Sequence, residues 1–268
     1  MRIIRFLDSS SRVCLGALHS DGSVTYLEGS LFGVLADTGR AAKMEKLLAP
    51  LVPSAILCVG LNYRDHAREL DMKEPSYPVL FMKSPSALAN PDDPIVIPRS
   101  CESRPEVDYE VELAVVIGRQ GKDIPVADAY DHVLGYTIAN DVSARLWQKE
   151  NGGQWVRSKS FDTFCPLGPC IVTRDDAGDV QNLGLQCRLN GNLMQDGNTS
   201  DMIFPVAQLI SLLSRDMTLL AGTVILTGTP KGVGAGHSPQ VFLSPGDRVE
   251  LSIDGLGVLA NPVIAAGR

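Results

Sequence analysis

The stretch VDYEVELAVVIG, residues 107–118, decides the fold that the sequence predicts. Apolar side chains occupy every second position of this stretch, and a period of two is typical of a β-strand. The other face carries Asp108, Glu110 and Glu112 in one row. Neighbours in such a row lie about 6.5 to 7 Å apart at Cα, so Glu110 and Glu112 can converge on one point. Two like charges about 4 Å apart repel by roughly 4 kcal/mol at an effective dielectric constant of about 20, which predicts a positive group beside them.

The composition suits one large globular domain, or one domain with a small appendage. The chain has 268 residues, of which 44% are hydrophobic and 21% charged. Its net charge of −7 argues against a nucleic-acid partner, because phosphate contacts require a basic face. No apolar run approaches the ~20 residues of a membrane-spanning helix. The six cysteines are scattered without Cys-x-x-Cys pairs, which predicts reduced thiols and a cytoplasmic location, with a mitochondrial location as the alternative.

Two units are predicted along the chain, residues 1–53 and 54–268. The first is a small N-terminal β unit with a hairpin turn at Asp21-Gly22, followed by a helix predicted within residues 40–51. The second is a succession of short strand-like runs separated by Gly, Pro, Asn and Asp. Its few helical patterns fall at residues 64–70, 142–148 and 205–214. Such a succession favours a β-rich α+β fold over a doubly wound α/β fold.

A third carboxylate joins the two glutamates as a candidate metal ligand. Asp141 ends the strand-like run GYTIAND, at a junction with a helical pattern, where a side chain can point into a pocket. Glu110, Glu112 and Asp141 form an oxygen-only donor set, which suits Mg²⁺ or Mn²⁺. The alternative is that both glutamates lie on the solvent face of an ordinary amphipathic strand.

A second candidate group lies in GLNYRDHARELDM, residues 60–72, which could form a mobile lid. His66 and Glu69 are three residues apart on a predicted helical turn, so they are neighbours on one face. A carboxylate beside an imidazole orients it and raises its basicity, as a general base that activates water requires. The alternative is a solvated surface pair.

Two further side chains carry polar groups in sequence contexts typical of active sites. Lys159 precedes an aromatic and Pro-rich turn, where its ammonium could stabilise an oxyanion or enolate; the alternative is an ordinary solvated surface lysine. Thr229 lies in a Gly-rich loop after a strand, where its hydroxyl and the backbone amides could hold a carboxylate. The loop lacks the Walker pattern, and the chain has no Gly-x-Ser-x-Gly elbow and no histidine cluster, which disfavours a nucleotide site, a serine hydrolase and a zinc enzyme.

The order of these motifs resembles that of the fumarylacetoacetate hydrolase family. The resemblance covers residues 54–263 and rests on five segments: GLNYRDHARE (60–69), DYEVELAVVIG (108–118), NDVSAR (140–145), KSFDTFCPLGP (159–169) and LTGTPKGVG (226–234). It implies a mixed β-sandwich or roll, a homodimer, and a Mg²⁺ or Mn²⁺ cofactor. The residues that match the family's site are Glu110, Glu112 and Asp141 as metal ligands, His66, Glu69 and Lys159 as catalytic groups, and Thr229 and Lys83 as substrate-binding groups.

The activity that the resemblance implies is chemistry on 2-oxo or 2,4-dioxo carboxylic acids through a metal-stabilised enolate. We expect a shorter N-terminal unit than the long domain of the namesake enzymes, and the stretch NGGQWVRSKSFDTFCPLGP, residues 151–169, is more similar to the smaller members of the family. We therefore expect C–C hydrolysis of an acylpyruvate-type substrate. The alternative on the same site is oxaloacetate decarboxylation or keto–enol tautomerisation, and a remote one is a non-catalytic ligand-binding protein.

Overall fold

Strands dominate the computed structural model, which describes residues 1–150 and 153–267. The strands are β1 (Arg2–Asp8), β2 (Val13–Leu18), β3 (Val24–Gly29), β4 (Leu35–Ala41), β5 (Met44–Leu48), β6 (Ala55–Gly60), β7 (Val79–Lys83), β8 (Leu88–Ala89), β9 (Ile95–Ile97), β10 (Val107–Asp108), β11 (Val111–Ile117), β12 (Val133–Asn140), β13 (Ser143–Ala144), β14 (Cys165–Thr173), β15 (Gly184–Leu189), β16 (Asn192–Asn198), β17 (Thr223–Leu226), β18 (Arg248–Ile253) and β19 (Gly257–Ala265). The α-helices are α1 (Arg64–Glu69), α2 (Arg145–Glu150) and α3 (Val206–Ser214).

Two mixed sheets pack against each other. The larger has the strand order β4-β3-β2-β1-β14-β12-β11-β17-β6-β7, with β5 paired to β1 and β8 paired to β14. The smaller has the order β16-β15-β18-β19-β9, and β10 pairs with β13 separately. Contacts of β11 with β15 and of β14 with β19 join the two sheets. The predicted β-rich α+β class is confirmed.

The stretch at residues 107–118 is buried on both faces, so its predicted solvent face does not exist. Every residue of β11 is buried, and Glu110 and Glu112 are only 5% and 2% exposed. The continuous strand predicted here is wrong, because β10 ends at Asp108 and β11 begins at Val111. In the gap the backbone N–H of Glu110 donates to the side chain of Asn140 at 3.0 Å, and that of Asp141 donates to the carbonyl of Glu110 at 3.0 Å. The gap therefore places Glu110 opposite Asp141.

The helix predicted within residues 40–51 is wrong, because this segment forms strands. The last residues of β4 pair with β3, and β5 pairs with β1 in a register that sets Leu48 opposite Arg5. Pairing with an existing sheet edge outweighs the local helical pattern, since propensities amount to less than about 1 kcal/mol per residue. The predicted hairpin at Asp21-Gly22 is confirmed between β2 and β3.

The other helix predictions fared better. Those at residues 64–70 and 205–214 are confirmed as α1 and α3. The one at residues 142–148 begins too early, because Ser143 and Ala144 pair with Asp108 and Val107 as β13, and α2 starts only at Arg145.

The N-terminal strands belong to the large sheet, since β1 pairs with β14. The boundary at residue 53 stays a prediction.

All six cysteines are free, and five of them are buried. Among the described helices, none has both the length and the apolar character needed to span a membrane.

Candidate metal centre and cavity

Three buried carboxylates converge at the broken end of β11 and β12. Glu110, Glu112 and Asp141 each offer one oxygen, and these oxygens lie within 4.8 Å of one another. Glu112 lies opposite Ala139 in the β11–β12 ladder, and Asp141 follows the last residue of β12. The antiparallel register therefore brings the three side chains together across about thirty residues of sequence.

Three cations surround this cluster, as the like-charge repulsion predicts. The Lys159 ammonium lies 2.8 Å from Glu110 Oε2 and 2.7 Å from Asp141 Oδ2. Arg145 Nη2 lies 2.7 Å from Glu110 Oε1, and the Lys83 ammonium donates to Asp141 Oδ1. Although burial opposes it, Lys159 and Arg145 hold the pKa of Glu110 well below its usual range. Burial also opposes the charge on Lys159, yet Asp141 and Glu110 raise its pKa.

Glu112 lacks such compensation among the described residues. In the described part of the chain, Glu110 and Asp141 form salt bridges but Glu112 forms none. One Glu112 oxygen accepts the backbone N–H of Gly228 at 2.7 Å. Burial, together with Asp141 and Glu110, raises the pKa of Glu112 well above its ordinary range. A cation among the three carboxylates would remove this penalty, and an all-oxygen donor set fits a hard divalent ion such as Mg²⁺ or Mn²⁺.

Asp108 stands outside the three-carboxylate cluster and fixes Arg145. One of its oxygens accepts Arg145 Nε at 2.8 Å and the N–H of Ala235 at 3.0 Å, and the other accepts the N–H of Gly234 at 2.7 Å. A Cβ on Gly234 would lie 1.9 Å from the carbonyl oxygen of Val241, so only glycine fits there. Asp108 thus joins the Gly-rich loop to the guanidinium that contacts Glu110.

His66 and Glu69 form a hydrogen-bonded pair on α1, as their spacing predicts. His66 Nδ1 lies 3.0 Å from one Glu69 oxygen, and the other oxygen accepts the N–H of Gly232 at 2.8 Å. Although burial opposes it, the hydrogen bonds from His66 and Gly232 lower the pKa of Glu69 below its ordinary value. An ionised Glu69 selects the tautomer with the proton on Nδ1, which leaves Nε2 of His66 as the acceptor. The pair is not a solvated surface pair, since His66 is only 7% exposed.

A cavity of about 480 Å³ opens over both groups. It is lined by Val59, Gly60, Leu61, His66, Leu70, Met72, Val79, Phe81, Glu110, Glu112, Arg145, Gln148, Lys149, Trp155, Lys159, Thr229, Val233 and Ala235. Glu110, Glu112, His66 and Lys159 thus share one solvent-accessible space. A substrate held at the carboxylates would be within the same enclosure as an imidazole.

The two predicted substrate-binding residues lie in different places. Thr229 lines the cavity, but its hydroxyl donates to the carbonyl of Val111 at 2.9 Å and accepts from Gln195 at 2.7 Å. Lys83 is 1% exposed and does not belong to the cavity lining described above. Its ammonium donates to Asp141 and to the carbonyl of Val142. For Lys83 the geometry therefore fits a role in holding Asp141 better than the predicted contact with substrate.

Sequence reasoning assigned no role to Arg145, Gln148 or Lys149, which all line the cavity from α2. Arg145 belongs to the quoted segment NDVSAR, and the i, i+3 spacing to Gln148 puts both on one helix face. The cavity contacts themselves depend on how α2 packs. Of the stretch at residues 151–169, Asn151 and Gly152 lie outside the described residues.

Comparison with known proteins places the chain in a family. The model of the fumarylacetoacetate hydrolase C-terminal domain matches residues 55–264, and that of an Rv2993c-like N-terminal domain matches residues 1–50. The chain belongs to the fumarylacetoacetate hydrolase family. Relatives in this family are enzymes that act on small molecules.

Named relatives and solved structures of the family are similar along most of the chain. A Xenopus laevis protein named oxaloacetate tautomerase fahd2, mitochondrial, is 52% identical over 220 residues, which are 81% of this chain and 68% of that protein. A fumarylacetoacetate hydrolase from Exiguobacterium antarcticum superposes with a TM-score of 0.89 at 40% identity, over 99% of this chain and 100% of that one. A 5-carboxymethyl-2-hydroxymuconate delta-isomerase from Mycobacterium smegmatis gives 0.87 at 39% identity, with the same coverage.

Proposed function

We propose that this protein is a divalent-metal-dependent oxaloacetate tautomerase, which interconverts the enol and keto forms of a 2-oxo acid. The observation that carries the proposal is the 52% identity, over 81% of the chain, to a protein named oxaloacetate tautomerase. The delta-isomerase among the similar structures supports the same choice, since an isomerase of this kind also moves protons without cleaving carbon bonds. Tautomerisation is therefore preferred to the acylpyruvate hydrolysis that the sequence motifs favoured.

Acylpyruvate hydrolysis remains the second candidate. The similarity to a structure named fumarylacetoacetate hydrolase supports it, and the His66–Glu69 pair has the arrangement that activation of water requires. Both reactions pass through an enolate, so the same side chains would serve either one.

The proposed roles follow from charge and position. Glu110, Glu112 and Asp141 would hold the cation, and a cation bound there would supply Lewis-acid stabilisation of the enolate. Arg145 and Lys159 keep Glu110 ionised and in place, and Lys83 does the same for Asp141.

Proton transfer is assigned to His66. Its Nε2 is the free acceptor of an imidazole that Glu69 orients, and the ring lines the cavity. In the direction from keto to enol, Nε2 takes the proton from C3 and the resulting imidazolium returns it to the 2-oxygen, so the reaction needs no other reactant. Lys159 stabilises the negative charge that develops on the 2-oxygen, because the side chain lines the cavity and Asp141 and Glu110 keep its ammonium charged.

The second carboxylate of oxaloacetate also has a cation available. Among the described cations that line the cavity, Arg145 and Lys159 contact carboxylates, whereas the exposed Lys149 is not within 4.0 Å of one. We assign Lys149, at the cavity mouth on α2, to the distal carboxylate.

The deciding experiment uses the full chain after removal of metal with a chelator. Enol-to-keto conversion of oxaloacetate is followed by ultraviolet absorbance and proton NMR, with and without added Mg²⁺ or Mn²⁺, and acetylpyruvate is tested in parallel. We expect metal-dependent acceleration with oxaloacetate. Acetate and pyruvate from acetylpyruvate, with no acceleration of oxaloacetate tautomerisation, would select the hydrolase instead.

A His66→Ala variant tests the assigned proton carrier. Removal of a positioned general base costs about 10²- to 10⁴-fold in turnover. Affinity for Mn²⁺, measured by calorimetry, should stay within about twofold, because His66 is outside the proposed ligand set. An unchanged tautomerisation rate would remove His66 from the mechanism.

A further inference from the structure

One wall of the cavity is apolar, and the proposed reaction on oxaloacetate does not use it. Its members are Leu61, Leu70, Met72, Val79, Phe81 and Trp155, here called the apolar wall. Leu70 and Met72 are 39% and 54% exposed, so part of this surface is open to solvent. Exposed apolar side chains inside a cleft are typical of a ligand-binding groove. Oxaloacetate, a small dianion, offers nothing to cover it.

Strand β7 turns alternate side chains toward the apolar wall. Val79 and Phe81 line the cavity, whereas Leu80 and Met82, the residues between and after them, do not and are each 44% exposed. Successive side chains of a strand point to opposite faces, which explains the division. The same strand therefore offers matched positions on and off the wall.

The apolar wall begins directly beside the ionic centre. The Lys159 ammonium lies 5.0 Å from the centroid of the Phe81 ring, and this ring packs edge-on against Trp155 at 5.3 Å. An acid bound through its carboxylate and 2-oxygen near Lys159 would point its C3 substituent along these two rings. An apolar substituent would gain from burial there.

Local backbone features preserve the wall. A Cβ on Gly60 would lie 2.8 Å from Cζ3 of Trp155, so the absence of a side chain at position 60 lets the indole sit at the cavity. Leu61 has φ of 53°, a left-handed conformation that favours glycine. The residue in this conformation supplies a wall side chain.

We infer that the cavity also accepts 2-oxo acids with an aryl or branched-alkyl group on C3, and that the protein interconverts their enol and keto forms. The inference rests on the proposed tautomerase function. The enol O–H bond breaks, a C3–H bond forms, and no other reactant is needed. Trp155, Phe81 and Val79 determine the specificity for the apolar group, and Lys149 determines that for a second carboxylate.

The test compares phenylpyruvate with oxaloacetate on Mg²⁺-loaded protein. Metal-dependent acceleration of phenylpyruvate tautomerisation is expected. Calorimetry and quenching of tryptophan fluorescence should show phenylpyruvate binding at least about tenfold more tightly than pyruvate, since a buried aromatic group contributes that much or more. Equal affinity for phenylpyruvate and pyruvate would overturn the inference.

Two variants should change the specificity in opposite directions. Trp155→Ala should lower the ratio of kcat/KM for phenylpyruvate to that for oxaloacetate about tenfold, and Lys149→Gln should raise it. The alanine keeps the Trp155 carbonyl, which accepts hydrogen bonds from Ser158 and Lys159. Val79→Thr, which keeps the shape of the side chain, provides a second wall variant if Trp155→Ala fails to fold. Leu80→Ala, on the opposite face of β7, should leave the ratio unchanged.

The outcomes separate the two proposals. Acceleration of oxaloacetate but not of phenylpyruvate would refute the apolar specificity and leave the tautomerase assignment intact. Tight metal-dependent binding of phenylpyruvate, without tautomerisation of either acid, would refute the tautomerase assignment and the inferred activity together. An unchanged ratio in a folded Trp155→Ala protein would remove Trp155 from the site.

Discussion

Replacement of Asp108 by asparagine should destabilise the protein strongly, although the two side chains have nearly the same shape. Asp108 is fully buried, and all of its partners are donors. One oxygen accepts the N–H groups of Tyr109 and Gly234 at 2.9 and 2.7 Å, and the other accepts Arg145 Nε at 2.8 Å and the N–H of Ala235 at 3.0 Å. An amide group would have to turn its own N–H donors toward one of these pairs.

The expected loss of stability follows from the number of hydrogen bonds that each Asp108 oxygen accepts. Whichever way the amide is turned, two hydrogen bonds to a charged acceptor are lost, and each contributes about 1.5 to 3 kcal/mol. We therefore expect Asp108→Asn to lower the free energy of unfolding by roughly 3 to 6 kcal/mol, in the range for a broken buried ion pair. Metal affinity should also fall, because Arg145 loses the partner that aims it at Glu110.

Urea unfolding of the chelator-treated protein, followed by circular dichroism, measures the decrease in the free energy of unfolding without a contribution from bound metal. Asp175→Asn is the matched control, since the Asp175 side chain is 86% exposed and should change stability by less than about 0.5 kcal/mol. A loss below about 1 kcal/mol for Asp108→Asn would refute the reasoning. In a double-mutant cycle with Arg145→Met, the two losses should be non-additive by about 1 kcal/mol or more.

Three further predictions concern the cluster, the pair on α1 and the apolar wall. Glu112→Gln should abolish tight Mn²⁺ binding in calorimetry while it stabilises the metal-free fold, because burial of Glu112 without a cation requires either an unpaired charge or the uptake of a proton. Unchanged affinity would exclude Glu112 as a ligand. Glu69→Gln should lower the free energy of unfolding at neutral pH, because a carboxyl group whose pKa is depressed in the folded state stabilises the protein while it is ionised. This difference from the unchanged protein should disappear as pH falls from about 4.5 through the depressed folded-state pKa. A difference that is independent of pH in urea titrations would contradict the prediction. Gly60→Ala should lower the free energy of unfolding by about 1 to 3 kcal/mol and shift the tryptophan fluorescence, because the added Cβ displaces Trp155. Gly33→Ala should change neither quantity, because a Cβ there meets only ordinary contacts.

Local sequence patterns determined a large part of the fold. The helices at residues 64–70 and 205–214 and the hairpin at Asp21-Gly22 were predictable, because each depends on hydrophobic period, turn residues or both within one short segment. Strand β14 escaped prediction. Its sequence CPLGPCIVT contains two prolines, and a register shift in β12 opposite it accommodates the irregularity.

In the candidate site, too, the local contacts were predictable and the long-range contacts were not. The i, i+3 spacing of His66 and Glu69 predicts their contact, and the acids at positions 110 and 112 predict a charge cluster. Both features are local in sequence. Only the tertiary structure decided that the cluster is buried, that Lys83 faces Asp141 instead of the cavity, and that Asp108 binds Arg145. Those contacts join residues 37 to 58 positions apart. They arise from strand register and sheet packing, which depend on the free energy of the whole fold. The spacing of the residues along the chain therefore does not predict them.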